Sequence, residues 1–265
     1  MIKWADVIEQ AAAIVESYST RVTLRQLFYR LVAAGVVSNN QNAYKKLSER
    51  TAVARREGRF PDLADYGRHI DRPFAFTDTD DAREWLADNY RRDRTEGQGY
   101  AVYLGVEKRT ILAMLEDAFG ERGLPLVALA GYASQTLVDD VVGDVSTDGR
   151  KAVLLYAGDL DPSGVDIPRD FEERTDCWDE VRRIALTMEQ VRERDLPMPP
   201  GKVQDSRAAG FEAEHGELIQ VELEALDPAD LVGLYEDALA EFWDDDAYQR
   251  SLQQEAEDVS LLRDL

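Results

Sequence analysis

The sequence predicts an α/β protein in which an N-terminal helical domain precedes a domain built on a mostly parallel sheet. Two short runs rich in β-branched and aromatic residues, 100–106 and 152–157, each end in acid, as buried parallel strands carrying a ligand site do. From Tyr100 onward strand-like and helix-like stretches alternate as β-α-β-α-β, the order that gives a parallel sheet with right-handed crossovers. Ahead of Tyr100 the chain reads instead as successive helices.

Residues 5–18 form the first predicted helix. Thr23-Leu24-Arg25-Gln26 is a capping-box pattern that opens a second, running to about Ala34 and stopping at Gly35. Its apolar stripe is Leu24, Leu27, Phe28, Leu31 and Val32. A third helix over about 42–57 stops at Gly58 and carries Lys45, Lys46, Arg50, Arg55 and Arg56. Helix, turn, basic helix is the outline of a helix-turn-helix or winged helix, which makes these five residues candidate contacts for DNA. A solvated helical hairpin would show the same spacing. This domain is assigned to residues 1–75.

Residues 60–98 are rich in Asp, Arg, Pro and aromatics, and read as a wing followed by an acidic connecting helix over 80–92. The linker is assigned to 76–98, with Gly97-Gln98-Gly99 at its end. A strand at 100–106 leads to a helix over 108–119. A strand at 125–129 and a helix at 134–142 come next, then the strand at 152–157 and a short helix after Pro162. Residues 181–200 fit neither pattern cleanly. Helices are expected over 228–243 and 246–263. The second domain spans 99–200, and 201–265 completes it.

With 265 residues and 44% hydrophobic content, a substantial core is expected. No stretch approaches the ~18 apolar residues of a membrane span, so no membrane partner is expected. Cys177 is the single cysteine, which excludes a disulfide framework and a thiolate cluster. A soluble cytoplasmic protein is the expectation. The formal charge of −22 is uneven: residues 1–70 carry 11 Lys+Arg against 7 Asp+Glu, the remainder 20 against 46. A basic head on an acidic body suggests that the head meets polyanions. Acid-rich surfaces that only maintain solubility are the plainer account of the body.

Glu107 ends the first strand; Asp159 and Asp161 end the third. Two residues apart on extended backbone, the aspartates face the same way, and Pro162 and Gly164 force a turn after them. Three carboxylates there form an oxygen-only set suited to Mg²⁺ or Mn²⁺. An acidic turn with N-capping would use the same residues. Arg25 and Tyr29 lie at i and i+4 on one helix face, and Tyr29 points roughly 130° from the centre of the apolar stripe. The guanidinium could bind a phosphate, and the phenol beside it could act as nucleophile. A surface tyrosine covering its neighbours would look alike.

Arg25-Gln26-Leu27-Phe28-Tyr29 resembles the Arg-x-x-[Phe/Tyr]-Tyr motif of the topoisomerase VI A subunit and the related meiotic double-strand-break protein. Val106-Glu107-Lys108 resembles the first acidic motif of that family's Toprim domain. Gly131-Tyr132 stands where the family has Gly-Tyr-Pro, with Ala133 replacing the proline. Asp159-Leu160-Asp161-Pro162-Ser163-Gly164-Val165-Asp166-Ile167 is similar to the family's Asp-x-Asp-Pro-x-Gly-x-Asp-Ile. The resemblance covers roughly residues 20–230 and is to compact stand-alone forms, without an ATPase module. It implies a winged helix followed by a Toprim domain, and a type IIB topoisomerase-like DNA cleavage in which Tyr29 forms a 5′-phosphotyrosyl link. It implies Mg²⁺ on Glu107, Asp159 and Asp161, with Arg25 and Lys108 at the phosphate. It also implies double-stranded DNA as substrate and a homodimer in which Tyr29 of one subunit meets the acids of the other. A separate ATPase B-type subunit would be needed for strand passage. Alternatives are a Toprim nuclease using metal-activated water and a catalytically silent DNA-binding or regulatory protein. Asp205 and Arg207 could approach the site, Asp166 is expected to cap or pair locally, and Glu224 resembles a C-terminal family motif. His69 and His215 share no metal-binding spacing.

Overall fold

A computed structural model describes residues 3–18, 20–65 and 73–264. The helical head consists of α1 (Trp4–Glu16), α2 (Leu24–Ala33) and α3 (Gln41–Arg56); α4 (Thr79–Asn89) connects it to the body. α2 begins on the predicted capping box. Thr23 Oγ1 accepts from the Gln26 amide at 3.2 Å, and Gln26 Oε1 accepts from the Thr23 amide at 2.8 Å. Leu27, Phe28 and Leu31 are buried against α1 and α3, while Leu24 and Val32 lie at the edge of that core. Asn40 caps α3 by accepting from the Ala43 amide at 2.9 Å.

The three helices agree with the expected outline, but no wing is formed by the described residues. Among the described residues no strand precedes Tyr100, and the pairing found there is one isolated parallel bridge between Thr23 and Ala64. Phe60-Pro61-Asp62-Leu63-Ala64-Asp65 lacks the alternation of a hairpin strand, and its proline removes a ladder donor. Residues 66–72, and His69 with them, lie outside the described residues.

The body carries four parallel strands, β1 (Tyr100–Val106), β2 (Leu126–Ala128), β3 (Lys151–Ala157) and β4 (Glu180–Ala185), in the order β2-β1-β3-β4. Both central strands are buried on both faces. Val102, Leu104, Val153 and Leu155 look one way, toward α5 (Arg109–Phe119) and α10 (Pro228–Leu239). Tyr103, Leu154 and Tyr156 look the other way, toward α6 (Gln135–Asp148) and α7 (Pro162–Thr175). Helices on both faces explain why β1 and β3 read as continuous apolar runs. The chain leaves β1 toward β2 on one side and returns to β3 on the other. The switch point therefore lies between the carboxyl ends of β1 and β3, where Glu107 and Asp159 stand.

The ambiguous stretch resolves into β4 and α8 (Met188–Glu193). α7 runs 14 residues, longer than the short helix expected. Pro168 inside it cannot donate to Gly164 O, and the Arg183 guanidinium supplies that bond at 2.9 Å, so the helix continues through the proline. After α9 (Ala208–His215) the chain returns to the sheet. Val221 and Leu160 exchange backbone hydrogen bonds at 2.8 and 3.0 Å, and Leu223, Leu226 and Tyr235 enter the core. α11 (Asp245–Arg263) packs on α4 and the chain just after it, where Glu255 takes Arg94 at 2.6 Å and Asp258 takes Arg92 at 2.9 Å. Among the described residues no helix is long and apolar enough to cross a membrane.

Head and body meet along α2. The Gln26 amide reaches Met114 Sδ on α5 at 3.4 Å, Tyr18 donates to Asp227 at 2.8 Å, and Arg30 lies 3.3 Å from the same carboxylate. This docking sets the Arg25–Tyr29 face over the turn at residues 222–225.

Candidate active site

Glu107 follows β1 directly, and its backbone is pinned on both sides: its amide donates to Ala157 O at 3.0 Å and its carbonyl accepts from Ala130 N at 2.8 Å. Its side chain reaches across to the β3 end, where Oε2 accepts from the Asp159 amide at 2.9 Å. Two glycines make room. A Cβ on Gly158 would lie 2.7 Å from the Tyr156 hydroxyl, and one on Gly164 would lie 2.3 Å from Asp159 O. The Gly in Asp-x-Asp-Pro-x-Gly is thus required by close approach of backbone, not by turn conformation. Arg183 braces the same loop from β4, donating to Gly158 O at 3.0 Å, Asp159 O at 2.6 Å and Leu186 O at 3.0 Å besides Gly164 O.

The three acids differ in what holds them. Asp161 caps α7: its Oδ1 accepts from Ser163 N at 2.9 Å, Ser163 Oγ at 2.7 Å and Gly164 N at 2.7 Å. Asp159 is buried, and takes the Leu223 amide at 2.8 Å and Lys108 Nζ at 2.9 Å. Burial pushes its carboxyl above the usual range, against the pull of Lys108. Glu107 is pushed up to about 7, first by burial and then by Asp159, with a smaller push from Asp161.

Among the described residues no group of three or more acids, histidines or cysteines is gathered closely enough to hold a metal ion. The expected set of Glu107, Asp159 and Asp161 is brought to one sheet edge without converging as ligands. Its chemistry nonetheless fits a hard divalent cation: the donors are all carboxylate oxygens, and their mutual crowding, seen in Glu107, is what a cation relieves. The bonds described use Oε2 of Glu107 and Oδ1 of Asp161, so each residue has a second oxygen to offer. Asp159 would have to trade its bond to Lys108.

Lys108 is the hub of a second cluster. Its ammonium lies 2.7 Å from Glu224, 2.9 Å from Asp159 and 3.5 Å from Glu222. Burial alone would lower its pKa; Asp159 and Glu224 outweigh that and hold the ammonium charged. Arg25 continues the chain of charge, with Nη2 2.8 Å from Glu222 and Nε 3.8 Å from Glu224. The Tyr29 hydroxyl faces Glu222 as well. Burial and then Glu222 push that phenol up to about 12, against Arg25. Tyr29 is half-buried and packs against the edge of the head's core, with its ring edge-on to Phe28 at 5.6 Å, rather than standing clear of the stripe as the spacing suggests. Arg25, Tyr29, Asn39, Gln41 and Tyr44 line a cleft of about 310 Å³ at the start of α3. Tyr29 and Glu222 share a smaller one of about 80 Å³ with Asn39 and Gln220.

Lys45, Lys46, Arg50, Arg55 and Arg56 are all exposed, and none is ion-paired among the described residues. They do not form one face. Lys45 and Lys46 lie a turn from the cleft, Arg50 lines a groove against α1 with Trp4 and Glu9, and Arg55 and Arg56 end the helix. Asp205 and Arg207 pair with each other at 2.8 Å, and Arg207 reaches Tyr132 and, at 3.5 Å, Asp166; neither contacts Glu107, Asp159 or Lys108 among the described residues. Asp166 pairs locally with Arg169 at 2.8 Å, as expected.

Two residues of the site escape a motif-based reading. Glu222 is one; alternation in Ile219-Gln220-Val221-Glu222-Leu223-Glu224 does place it on the same side as Glu224. Arg183 is the other, and nothing in Glu180–Ala185 separates it from its neighbour Arg182. No protein-family model matches the chain, and no curated protein matches it either. The function therefore rests on the site.

Proposed function

We propose that the chain cleaves double-stranded DNA by transesterification onto Tyr29, in the manner of a type IIB topoisomerase A subunit. The observation that carries the reading is the juxtaposition in one chain of a cleft-facing Tyr29–Arg25 pair with the Lys108–Asp159 cluster at the sheet's switch point. A winged-helix head followed by a Toprim body is the fold assignment that goes with it.

In this scheme the scissile phosphate enters the cleft beside α3. Tyr29 Oη loses its proton and attacks phosphorus, the bond to the 3′ oxygen breaks, that oxygen takes up a proton and leaves as a free 3′-hydroxyl, and a 5′-phosphotyrosyl link remains. Arg25 neutralises charge that grows on the phosphoryl oxygens. Lys108 is held protonated and aimed at the same region, and Lys45 and Lys46 hold flanking phosphates. Mg²⁺ or Mn²⁺ on Glu107 and Asp161, with Asp159 once it releases Lys108, would polarise the phosphoryl oxygens. Two such chains would cut the two strands, and a separate ATPase subunit would be required for strand passage.

A second reading has one observation behind it. A phenol pushed up to about 12 is a reluctant nucleophile, which favours a nuclease in which the acids serve a water instead. The test is a covalent-adduct assay on supercoiled plasmid with Mg²⁺ or Mn²⁺, quenched in detergent. Wild type should carry protein on 5′ ends, and Tyr29→Phe should not. Equal cleavage by both, with free ends, would establish the nuclease. No cleavage and no metal-induced rise in melting temperature would indicate a DNA-binding protein without this chemistry.

A further inference from the structure

Glu222 is the anion on which Arg25, Lys108 and Tyr29 converge. Arg25 Nη2 stands 2.8 Å from its Oε2, Lys108 Nζ 3.5 Å from the same oxygen, and the Tyr29 hydroxyl faces it. A guanidinium, an ammonium and a phenol around one oxygen anion form the donor set that a phosphodiester requires. A carboxylate matches a phosphodiester in charge and in its pair of acceptor oxygens.

We propose that Glu222 holds the place of the DNA phosphodiester when no DNA is bound, and that the incoming phosphate must displace it from Arg25. The proposal rests on the reading of the Arg25–Tyr29 cleft as the DNA site. Two features separate Glu222 from its neighbour Glu224. The Glu222 side chain is 25% exposed and lines the small cleft beside Tyr29, whereas Glu224 is 3% exposed. Glu224 also has the closer hold on Lys108, at 2.7 Å against 3.5 Å. Glu222 can therefore turn out to solvent while Glu224 keeps the Lys108 ammonium paired. Burial opposes ionisation of Glu222, but Lys108, Tyr29 and Arg25 prevail and keep its carboxyl below the usual range, so it competes as a full negative charge. An internal anion of this kind raises the threshold for phosphate binding: isolated phosphates and weakly held DNA meet an occupied site.

The test is fluorescence anisotropy of a short fluorescein-labelled duplex, without divalent metal so that binding is read apart from cleavage. Wild type, Glu222→Gln, Arg25→Ala and the double variant are compared at one ionic strength. Glu222→Gln should bind about tenfold tighter than wild type, and the gain should vanish on the Arg25→Ala background. Glu222→Ala should show the same gain, which guards against a packing fault of the glutamine. Equal or weaker binding by both Glu222 variants overturns the proposal while leaving the DNA site intact. Absence of binding by wild type and Glu222→Gln alike overturns the DNA site and the proposal together.

Discussion

The body and the head of this molecule carry charge in opposite ways. At the strand ends of the body, Asp159 and Glu224 are buried and tied to Lys108, and burial, followed by Asp159, pushes Glu107 up to about 7. On the head, the basic residues of α3 are exposed and none is ion-paired among the described residues. Buried charges are costly unless paired, so the body's cluster must be built by the fold and is fixed in place by it. Exposed charges cost little and can be placed by sequence alone, but they gain their effect only from a partner. Arg25 lies between the two: half-exposed, yet ion-paired with the body's Glu222.

Lys108→Met tests the contrast at its largest. The variant leaves Asp159 buried without a cation and Glu224 with Arg25 alone, at 3.8 Å, and should cost about 3–5 kcal/mol in urea unfolding. Lys46→Met on the exposed side of α3 should stay within about 0.5 kcal/mol. Similar losses for the two lysines would break the distinction.

A smaller effect is expected from Glu107. Its folded pKa, about 7, lies above the unfolded value of 4.5, so the folded protein holds a proton that the unfolded chain has lost between those values. This contribution favours the folded state at pH 4.5 and below, is lost as pH rises to 7, and is flat beyond. Glu107→Gln removes it. Allowing for the partial exposure of the group, the variant should gain about 1–2 kcal/mol relative to wild type between pH 4.5 and 8. A difference independent of pH would show that the fold does not raise the Glu107 pKa.

The smallest effect belongs to the head. Replacing Lys45 and Lys46 by glutamine should leave the melting temperature unchanged while reducing the slope of log K for DNA against log salt by ~0.9 for each phosphate that is no longer neutralised. Replacing Arg50, which faces the α1 groove, should leave the slope as it is.

Much of the fold is legible in the sequence because local signals agree with one another. The capping box at Thr23, the apolar runs of β1 and β3, and the Asp-x-Asp-Pro-x-Gly turn each appear where the pattern puts them. The expected wing rests on the resemblance and on composition, and residues 60–65 carry no strand periodicity to support it. The length of α7 is hidden because Pro168 reads as a stop; the carbonyl it leaves unmet is satisfied by Arg183, a long-range partner that no local window contains. The same limit hides Glu222. Its importance comes from Arg25, 197 positions away in sequence, and from the docking of α2 on the 222–225 turn. Carboxylates at strand ends are visible in a sequence, whereas what fills the space between them is decided by packing.

Docking of the head on its own body also bears on the resemblance, which implies that Tyr29 serves the acids of a partner subunit. The Arg25–Glu222–Lys108–Asp159 series of ion pairs joins the two halves of the site within one chain. The direct measurement is adduct formation by an equimolar, co-refolded mixture of Tyr29→Phe and Asp159→Ala chains, compared with wild type and with each variant alone. A site built within one chain predicts no adduct from the mixture, since each chain lacks one half. Adduct approaching a substantial fraction of the wild-type yield would contradict it and place Tyr29 in the partner's site.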